Sequence, residues 1–431
     1  MKYLFVHQNL PGQYLHLVRH LAADPANEIV FITQRKGVSM PGVKCVVYEP
    51  ARKVTPGLHH YLLDTEAGVL NAQAVLRVAL ELRQAGFMPD VMLGHNGWGE
   101  IWYLKDAYPE VPLIGYFEFY YHLHGADIGF DPADPPAIDT APRIRSKNLG
   151  NMIGLEAADY GQTPTQWQRS LYPDKFGTPI KVIHEGVDTQ AVKPDPAVWL
   201  RIENKGLTLT RDDEVLTYVA RNLEPYRGFY SFMRSLPAIL RARPDAHVVI
   251  VGGDEVSYGP RLPPGQTHRQ IILQELGKQL DLNRIHFVGK LPYSAFLQVL
   301  QVSRAHVYLT YPFVLSWSML EAMAVGGVVI GSRTPPVEEV IRDGDNGYLV
   351  DFFAPDEIAV KAIEVLGAGR DAHQPIRDNA RRTVVEKYDL RTRCLPDLVH
   401  WIGECAVGYQ PPRMGAVSSP HGPRTDSAQV E

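Results

Sequence analysis

Short apolar runs bounded by polar turns recur along the chain, and most are followed by a stretch whose apolar residues return every three to four positions. In the first half the runs are KYLFV at the N-terminus, EIVFIT, DVMLG, PLIGYF, YGQT and IKVIHEG, with helical patterns near residues 14–22 and 67–85. In the second half they are EVLTYVA, HVVIVGG, RIHFVGK, AHVYLT and GVVIGS. Such runs read as buried strands, and strands alternating with helices predict parallel βαβ units whose functional loops lie at the strand C-termini. A polar, proline-containing stretch over residues 193–213 separates the halves and reads as a linker. The expected fold is α/β, with two doubly wound domains facing one another. Two segments break the alternation. Residues 123–142, LHGADIGFDPADPPAIDTAP, form a long loop, either a functional lid or a disordered excursion. From Gly408 the chain is rich in Pro, Ser and Gly and is expected to be disordered.

Length and composition narrow this picture. A chain of 431 residues exceeds one compact core and fits two domains. Hydrophobic residues at 45% and charged residues at 21% are ordinary globular values, favouring neither a disordered nor a membrane class. The net charge of −5 argues against a nucleic-acid partner. Cys45, Cys394 and Cys405 are odd in number and scattered, matching neither a disulfide framework nor a metal-ligand spacing, so a reducing cytoplasm is expected. The opening MKYLFVHQNLPGQY lacks the apolar core of a signal peptide, and no window offers the roughly 18 apolar residues of a spanning helix. Arg143, Arg145 and Lys147 form a short basic cluster. It is either a solvated face or a contact for anionic lipid at the inner face of the membrane.

Candidate chemistry gathers at the predicted strand ends. After EVLTYVA, Arg221 and Arg227 precede a helix, where its positive dipole end disfavours cations unless an anion such as a diphosphate is bound. The alternative is that Glu224 pairs with one arginine and the other is solvated. Gly252 and Gly253 end HVVIVGG, either as turn glycines or to let backbone approach a ligand. Backbone groups of His286 and Val288 in RIHFVGK are placed to read a nucleobase edge, or belong to a plain strand. The run over residues 309–351 packs a strand end, the helix start Ser316-Trp317-Ser318, MLEAMAV, a buried strand and an Asn-Gly turn into one anion- and sugar-binding corner. Glu321 is expected in the first helical turn, bound to a ligand hydroxyl or closing a capping box with Ser318. Glu338 and Glu339 start a further helix after Pro335 and Pro336. One favours its dipole and the other faces solvent. Asp343-Gly-Asp345 spells the pattern with which some sugar transferases hold a divalent ion, but its turn-rich setting favours turn chemistry and no metal. In the first half Gly12 follows the first strand, His95, Asn96 and Glu100 follow DVMLG, and Glu118 and His122 follow PLIGYF. Histidines and carboxylates there are candidate proton carriers, although lone strand-end histidines are more often structural.

Taken together, RNLEPYRG, HVVIVGGDE, RIHFVGK and the 309–351 run resemble the large retaining glycosyltransferase family with the GT-B architecture, which includes bacterial mannosyl-, N-acetylglucosaminyl- and glucosyltransferases of the group 1 type. The resemblance covers about residues 1–405. It implies two Rossmann-like domains facing across a cleft, an acceptor-side domain over 1–195 and a donor-binding domain over 196–388. It also implies a helix over 389–407 crossing back to the first domain, ahead of the tail at 408–431. By that likeness Arg221 and Arg227 hold the donor diphosphate and Glu321 the ribose. Gly12, Gly252, Gly253, His286, Val288, Ser316, Trp317 and Ser318 join the donor site, Glu118 joins the arginines as catalytic, and His95, Asn96 and His122 line the acceptor side. No metal or cofactor is implied beyond the nucleoside-diphosphate-sugar co-substrate. The chain departs from the family at the first glutamate of its pair, which is Phe313 here, and at the Gly-Phe-Gly turn, which is Val314-Leu315-Ser316. In GYFEFYYH, Glu118 replaces the family's histidine. The first departure bears on donor identity and the last on acceptor-side chemistry.

The leading expectation is a cytoplasmic, metal-independent, retaining transferase. It moves a sugar to a hydroxyl of a polysaccharide precursor, a lipid carrier or a small metabolite. The rivals are an epimerase or hydrolase of nucleotide-sugars on the same fold, and a non-catalytic nucleotide-sugar-binding protein. Base, sugar, acceptor and oligomeric state stay open.

Overall fold

The computed structural model describes residues 1–411. The first sheet is parallel and holds β1 (Lys2–Val6), β2 (Glu28–Thr33), β3 (Lys44–Val47), β4 (Val91–His95), β5 (Leu113–Tyr116), β6 (Tyr160–Thr163) and β7 (Ile180–Val182), ordered β3-β2-β1-β4-β5-β6-β7. Alternate residues of β1 feed opposite faces. Leu4 and Val6 pack with Val75, Met92 and Ile101, whereas Tyr3 and Phe5 pack with Leu17, Val18 and Leu21. Burial on both faces is why this strand reads as a continuous apolar run rather than an alternating one.

An antiparallel hairpin, β8 (Trp199–Ile202) and β9 (Leu207–Thr210), follows. It occupies the stretch expected to be a linker. Its inward Leu200, Ile202 and Leu209 pack on Val215, Val249 and Val299 of the second domain. Gly206, at a φ of 59°, makes the left-handed turn between its strands. The second sheet holds β10 (Val215–Asn222), β11 (His247–Gly253), β12 (Ile285–Gly289), β13 (Ala305–Tyr308), β14 (Val329–Ser332) and β15 (Tyr348–Val350), ordered β12-β11-β10-β13-β14-β15 and again parallel.

The last helix, Leu395–Gly408, lies on the first domain, with Leu398, Trp401, Ile402 and Cys405 buried among Tyr3, Phe5 and Leu17. Their spacing of i, i+3, i+4, i+7 is one helical stripe. Each large side chain so buried stabilises the crossing by about 1.5–3 kcal/mol. Where the chain crosses, Leu390 N–H donates to the Val187 carbonyl at 2.9 Å. A Cβ on Gly186 would meet Leu390 Cα at 2.7 Å, so glycine is required there. Most of the tail expected to be disordered lies outside the described residues. No helix among the described residues is long and apolar enough to cross a membrane.

Candidate active site

In a doubly wound sheet the loops leaving the two strands at the reversal of strand order diverge and open a crevice. The reversal falls between β1 and β4 in the first sheet and between β10 and β13 in the second. Residues 7–13 and 96–100 wall the first crevice, and residues 221–227 and 309–316 the second.

Arg227 closes the short turn Pro225–Arg227 and is 7% exposed. Its Nη1 donates to Thr310 Oγ1 at 2.7 Å, the Val314 carbonyl at 3.0 Å and the Tyr308 hydroxyl at 3.3 Å. These partners are neutral, so they fix the guanidinium without cancelling its charge. The Tyr258 ring lies 5.3 Å from it. Arg221 stands exposed near the end of β10, and neither arginine makes an ion pair among the described residues. Glu224 is not their partner. It is fully buried and accepts from the Ser257 and Tyr258 amides at 3.0 Å each.

Ser316 is the N-cap of the helix Trp317–Ala324, its Oγ facing the Ser318 amide. Its own amide donates at 2.8 Å to the Tyr308 hydroxyl that also receives Arg227. One oxygen thus ties the helix N-terminus to the buried cation, and both supply positive potential to the same crevice. With the cap at Ser316, Glu321 falls beyond the first turn, and the capping box starting at Ser318 does not form. Its carboxylate accepts from the Tyr293 hydroxyl at 2.6 Å, and burial raises its pKa. Trp317 reaches across the cleft, donating from Nε1 to Glu185 at 3.1 Å.

The remaining donor-side candidates separate. A Cβ at Gly252 would lie 2.7 Å from Leu223 Cδ2, and one at Gly253 2.5 Å from Lys290 Cε. The space they spare is therefore filled by protein, letting the β10 loop and Lys290 pack on β11. Val288 is at the cleft end of β12. His286 is not: it is second in the strand, roughly 10 Å from its end at about 3.3 Å per residue, and it pairs with His247 at 3.0 Å. Gly12 lies against His7, whose Nε2 a Cβ would meet at 2.4 Å. Asp343 is taken up by Arg333 and the Leu349 amide, and Asp345 by Arg342 and Asn379. Glu339 does not face solvent but crosses to the first domain, accepting from the amides of Gln166 and Trp167 at 2.9 and 2.7 Å.

On the first domain Glu118 holds the centre. Its carboxyl is about one third exposed, 3.3 Å from Gln13 Nε2 and 3.7 Å from His95 Nε2. Burial, and then the charge of Glu185, push its pKa up to about 7, while Arg221 and Arg227 pull it down. His95 Nδ1 accepts from the Gly97 amide, which assigns the proton to Nε2. That buried N–H has no acceptor, and burial keeps the ring neutral. His7 accepts at Nδ1 from the Asn9 amide and donates from Nε2 to Gln13, completing a relay from His7 through Gln13 to Glu118. Glu100 is fully buried beside the Tyr48 hydroxyl. Asn96 turns inward, accepting from Trp102 Nε1 and donating to Asn151, and His122 binds the Leu171 carbonyl at 2.8 Å. Both spend these groups on hydrogen bonds within the protein.

Sequence reasoning missed His7, Gln13, Tyr308 and Glu185. Glu185, 7% exposed, receives both the Tyr116 hydroxyl and Trp317. It follows β7, so the strand-end rule that flagged Glu118 applies to it too. Phe313 packs between the domains, with Phe119 at 4.6 Å, Tyr258 at 5.1 Å and Tyr226 at 5.6 Å between ring centroids.

Residues 123–142 lie over the second domain as a strap. Tyr226 donates to the buried Asp127 at 2.9 Å and Tyr311 to Asp131 at 3.2 Å, while Phe130 packs among Tyr311, Phe352 and Phe353 at 5.0–5.3 Å. Phe130→Ala removes the apolar anchor of this strap. Its release should become easier by about 2 kcal/mol, so protease cleaves within it at least about tenfold faster. An unchanged cleavage rate would mean that the two tyrosine hydrogen bonds alone hold it.

Comparison with known proteins gives this geometry a family. The description "Glycosyl transferase family 4 group" matches residues 25–192, and "Glycosyl transferases group 1" matches residues 201–383. The N-acetyl-alpha-D-glucosaminyl L-malate synthase of Bacillus anthracis is 24% identical over 62% of this chain and 62% of its own length. A GDP-mannose-dependent alpha-(1-6)-phosphatidylinositol monomannoside mannosyltransferase of Mycolicibacterium smegmatis is 27% identical over 63% and 66%. The chain thus matches 62% and 66% of these relatives' length. Among solved structures, sucrose-phosphate synthase from Thermosynechococcus elongatus superposes with a TM-score of 0.70 at 15% identity, over 95% of this chain and 100% of that one. Anabaena HepE, solved with UDP and glucose, gives 0.62 at 16% identity over 94% and 100%. The fold is shared along nearly the whole chain and the two family descriptions together cover most of it: the chain belongs to the group 1 glycosyltransferases of the GT-B architecture.

Proposed function

We propose that this protein transfers a glycosyl residue from a nucleoside-diphosphate-sugar to a hydroxyl acceptor, with retention of anomeric configuration and without a metal. One observation carries the reading. Two arginines without carboxylate partners converge with a helix N-terminus on one side of a cleft, and a carboxyl held near neutrality faces them from the other. The leaving diphosphate gains negative charge as the sugar departs, and fixed cations and helix amides stabilise that charge most where no reorganisation is needed. Arg227 is held in place by three acceptors before any donor arrives. Glu321 with Tyr293 supplies the oxygens for a ribose. His95 Nε2–H and the Glu118 carboxyl supply a donor and an acceptor for sugar hydroxyls. Positive charge develops on the sugar carbon as its bond to phosphate lengthens, and the Glu118 carboxylate opposes it.

HepE, solved with UDP and with UDP-glucose, supports a nucleotide-sugar as donor. The proposed location is cytoplasmic. A peripheral membrane contact through the basic cluster stays part of this reading, with Arg143, Arg145 and Lys147 all exposed and Lys147 4.0 Å from the Tyr121 ring. The decisive experiment incubates a panel of nucleotide-sugars with candidate hydroxyl acceptors in the presence of a chelator. Release of nucleoside diphosphate should accelerate only with acceptor, should be unaffected by EDTA, and should give a product with the donor's anomeric configuration by NMR. Isomerised sugar without acceptor would establish the epimerase instead, and donor binding without turnover the binding protein. Activity lost to EDTA and restored by a divalent ion would overturn the metal-free mechanism.

A further inference from the structure

The end of the second domain opposite the cleft gathers four arginines from three separate parts of the chain. Arg211 precedes β10, Arg304 precedes β13, Arg370 follows the helix Pro355–Gly367, and Arg377 lies on the helix Gln374–Lys387. Hydrogen bonds join them into one cluster. Arg370 Nη1 donates to the Arg211 carbonyl at 3.1 Å, and Arg377 Nη2 to the Arg304 carbonyl at 2.9 Å. Arg304 Nη2 donates to the Asp212 carbonyl at 2.5 Å. Arg304 and Arg377 are 8% and 3% exposed, while Arg211 and Arg370 are half-buried at the rim.

None of the four makes an ion pair among the described residues, and the hydrogen-bond partners of their side chains are backbone carbonyls. Arg211 makes no side-chain hydrogen bond there at all. The Nε of every one of the four is buried without a partner, and so is Nε2 of the neighbouring His373. Those are five of the fourteen such side-chain atoms among the described residues, a concentration that calls for a cause. Buried charge is normally paired, because desolvation is costly and like charges add to it. Burial first, and then the charges of the neighbouring arginines, lower the pKa of Arg370 to about 9 and of Arg377 to about 10, with Asp212 opposing weakly for Arg370.

We propose that Arg211, Arg304, Arg370 and Arg377 form a binding site for a phosphate-class anion, separate from the donor cleft. A phosphate has the oxygens to accept from several guanidinium groups at once and the charge to offset their repulsion. Its access is past Arg211 and Arg370. The site lies behind the cleft by the length of β10, roughly 25 Å for eight residues at about 3.3 Å each. Arg377 also donates to the Gly326 carbonyl at 2.8 Å, just past the helix Trp317–Ala324 whose other end enters the cleft.

Inorganic phosphate is the probe, titrated into the full chain at ionic strength held constant with chloride while the thermal midpoint is followed. Phosphate can also enter the cleft, so Arg221→Gln serves as the reference in which that contribution is weakened. The midpoint should rise with phosphate in wild type and in Arg221→Gln alike, and the apparent affinity should fall at least tenfold in Arg370→Gln and in Arg211→Gln. Without phosphate, both cluster variants should melt at or above wild type, because a repelling charge is gone. A flat wild-type response, a wild-type response retained by both cluster variants, or a response abolished by Arg221→Gln would overturn the proposal. So would cluster variants that both melt below wild type without phosphate, which would make the arginines struts for carbonyls. None of these outcomes depends on catalysis, so the transferase reading stands or falls separately.

Discussion

Arg227→Ala should reduce kcat/KM for the sugar donor by about 10²–10³-fold, the usual loss when one fixed donor is taken from a developing anion. Affinity for the nucleoside diphosphate itself should fall by about 2–4 kcal/mol, since a buried cation is desolvated before the ligand arrives and has only to meet it. The fold should survive. Thr310, Tyr308 and the Val314 carbonyl lose a donor, but a buried charge without a carboxylate partner is removed at the same time. Arg221→Ala should cost less, about tenfold, because its exposed guanidinium interacts through water. Arg227→Lys should restore part of the affinity, a point charge replacing a planar fork whose other face rests near Tyr258. Calorimetric titration with nucleoside diphosphate checks the set. Affinity in Arg227→Ala within about threefold of wild type would remove Arg227 from the phosphate site.

What the sequence conveys of this site divides by the kind of signal. Arg221, Arg227, Ser316 and Glu118 follow strand runs with a clear apolar pattern, and strand direction alone places them at the cleft. His286 shows where the same reasoning slips. The run RIHFVGK gives a strand but not its length, and a histidine two residues into it belongs to the far half of the sheet. Asn96 sits at a strand end yet points inward, because a buried Trp102 N–H and Asn151 need its amide, and no local pattern reveals a partner 55 residues away. The contacts between domains are least legible. Glu185 with Trp317, Glu339 with the 166–167 amides, and Asp127 with Tyr226 are pairs of polar residues 99 to 173 positions apart. Each looks locally like a solvated side chain.

The hairpin in place of a linker was missed for a different reason. WLRI and LTLT are short alternating runs that need the second domain's Val215, Val249 and Val299 to bury one face. Phe313 gains its meaning in the same way. In the sequence it stands out only as a departure from the resemblance, where a glutamate is expected. In the fold it is one ring of an aromatic contact linking Phe119 of the first domain to Tyr226 and Tyr258 of the second.

Glu118→Gln should separate stability from catalysis. In the folded chain the carboxyl titrates at about 7, above its ordinary 4.5, because burial and Glu185 disfavour the charged form. A raised carboxyl pKa means that the folded state holds the proton more tightly than the unfolded one. Its contribution to stability is therefore fully present while the carboxyl is neutral, below about 4.5, and is lost as pH rises through about 7, above which the charged form carries a constant penalty relative to the neutral one. Glutamine carries no such penalty, so the variant should be the more stable protein at pH 8 and close to wild type at pH 4. The full shift would correspond to about 3 kcal/mol, and with a third of the side chain open to solvent about 1–2 kcal/mol is the reasonable size. Activity should move the other way. If the ionised carboxylate opposes positive charge on the sugar carbon, wild-type kcat rises with pH through about 7. The uncharged amide of the Glu118→Gln variant should leave a flat profile, lower by about 10²-fold at pH 8. A glutamine variant that keeps the inflection would assign it to another group, and one destabilised at pH 8 would mean that the carboxylate, not the acid, is what Gln13 and the arginines hold.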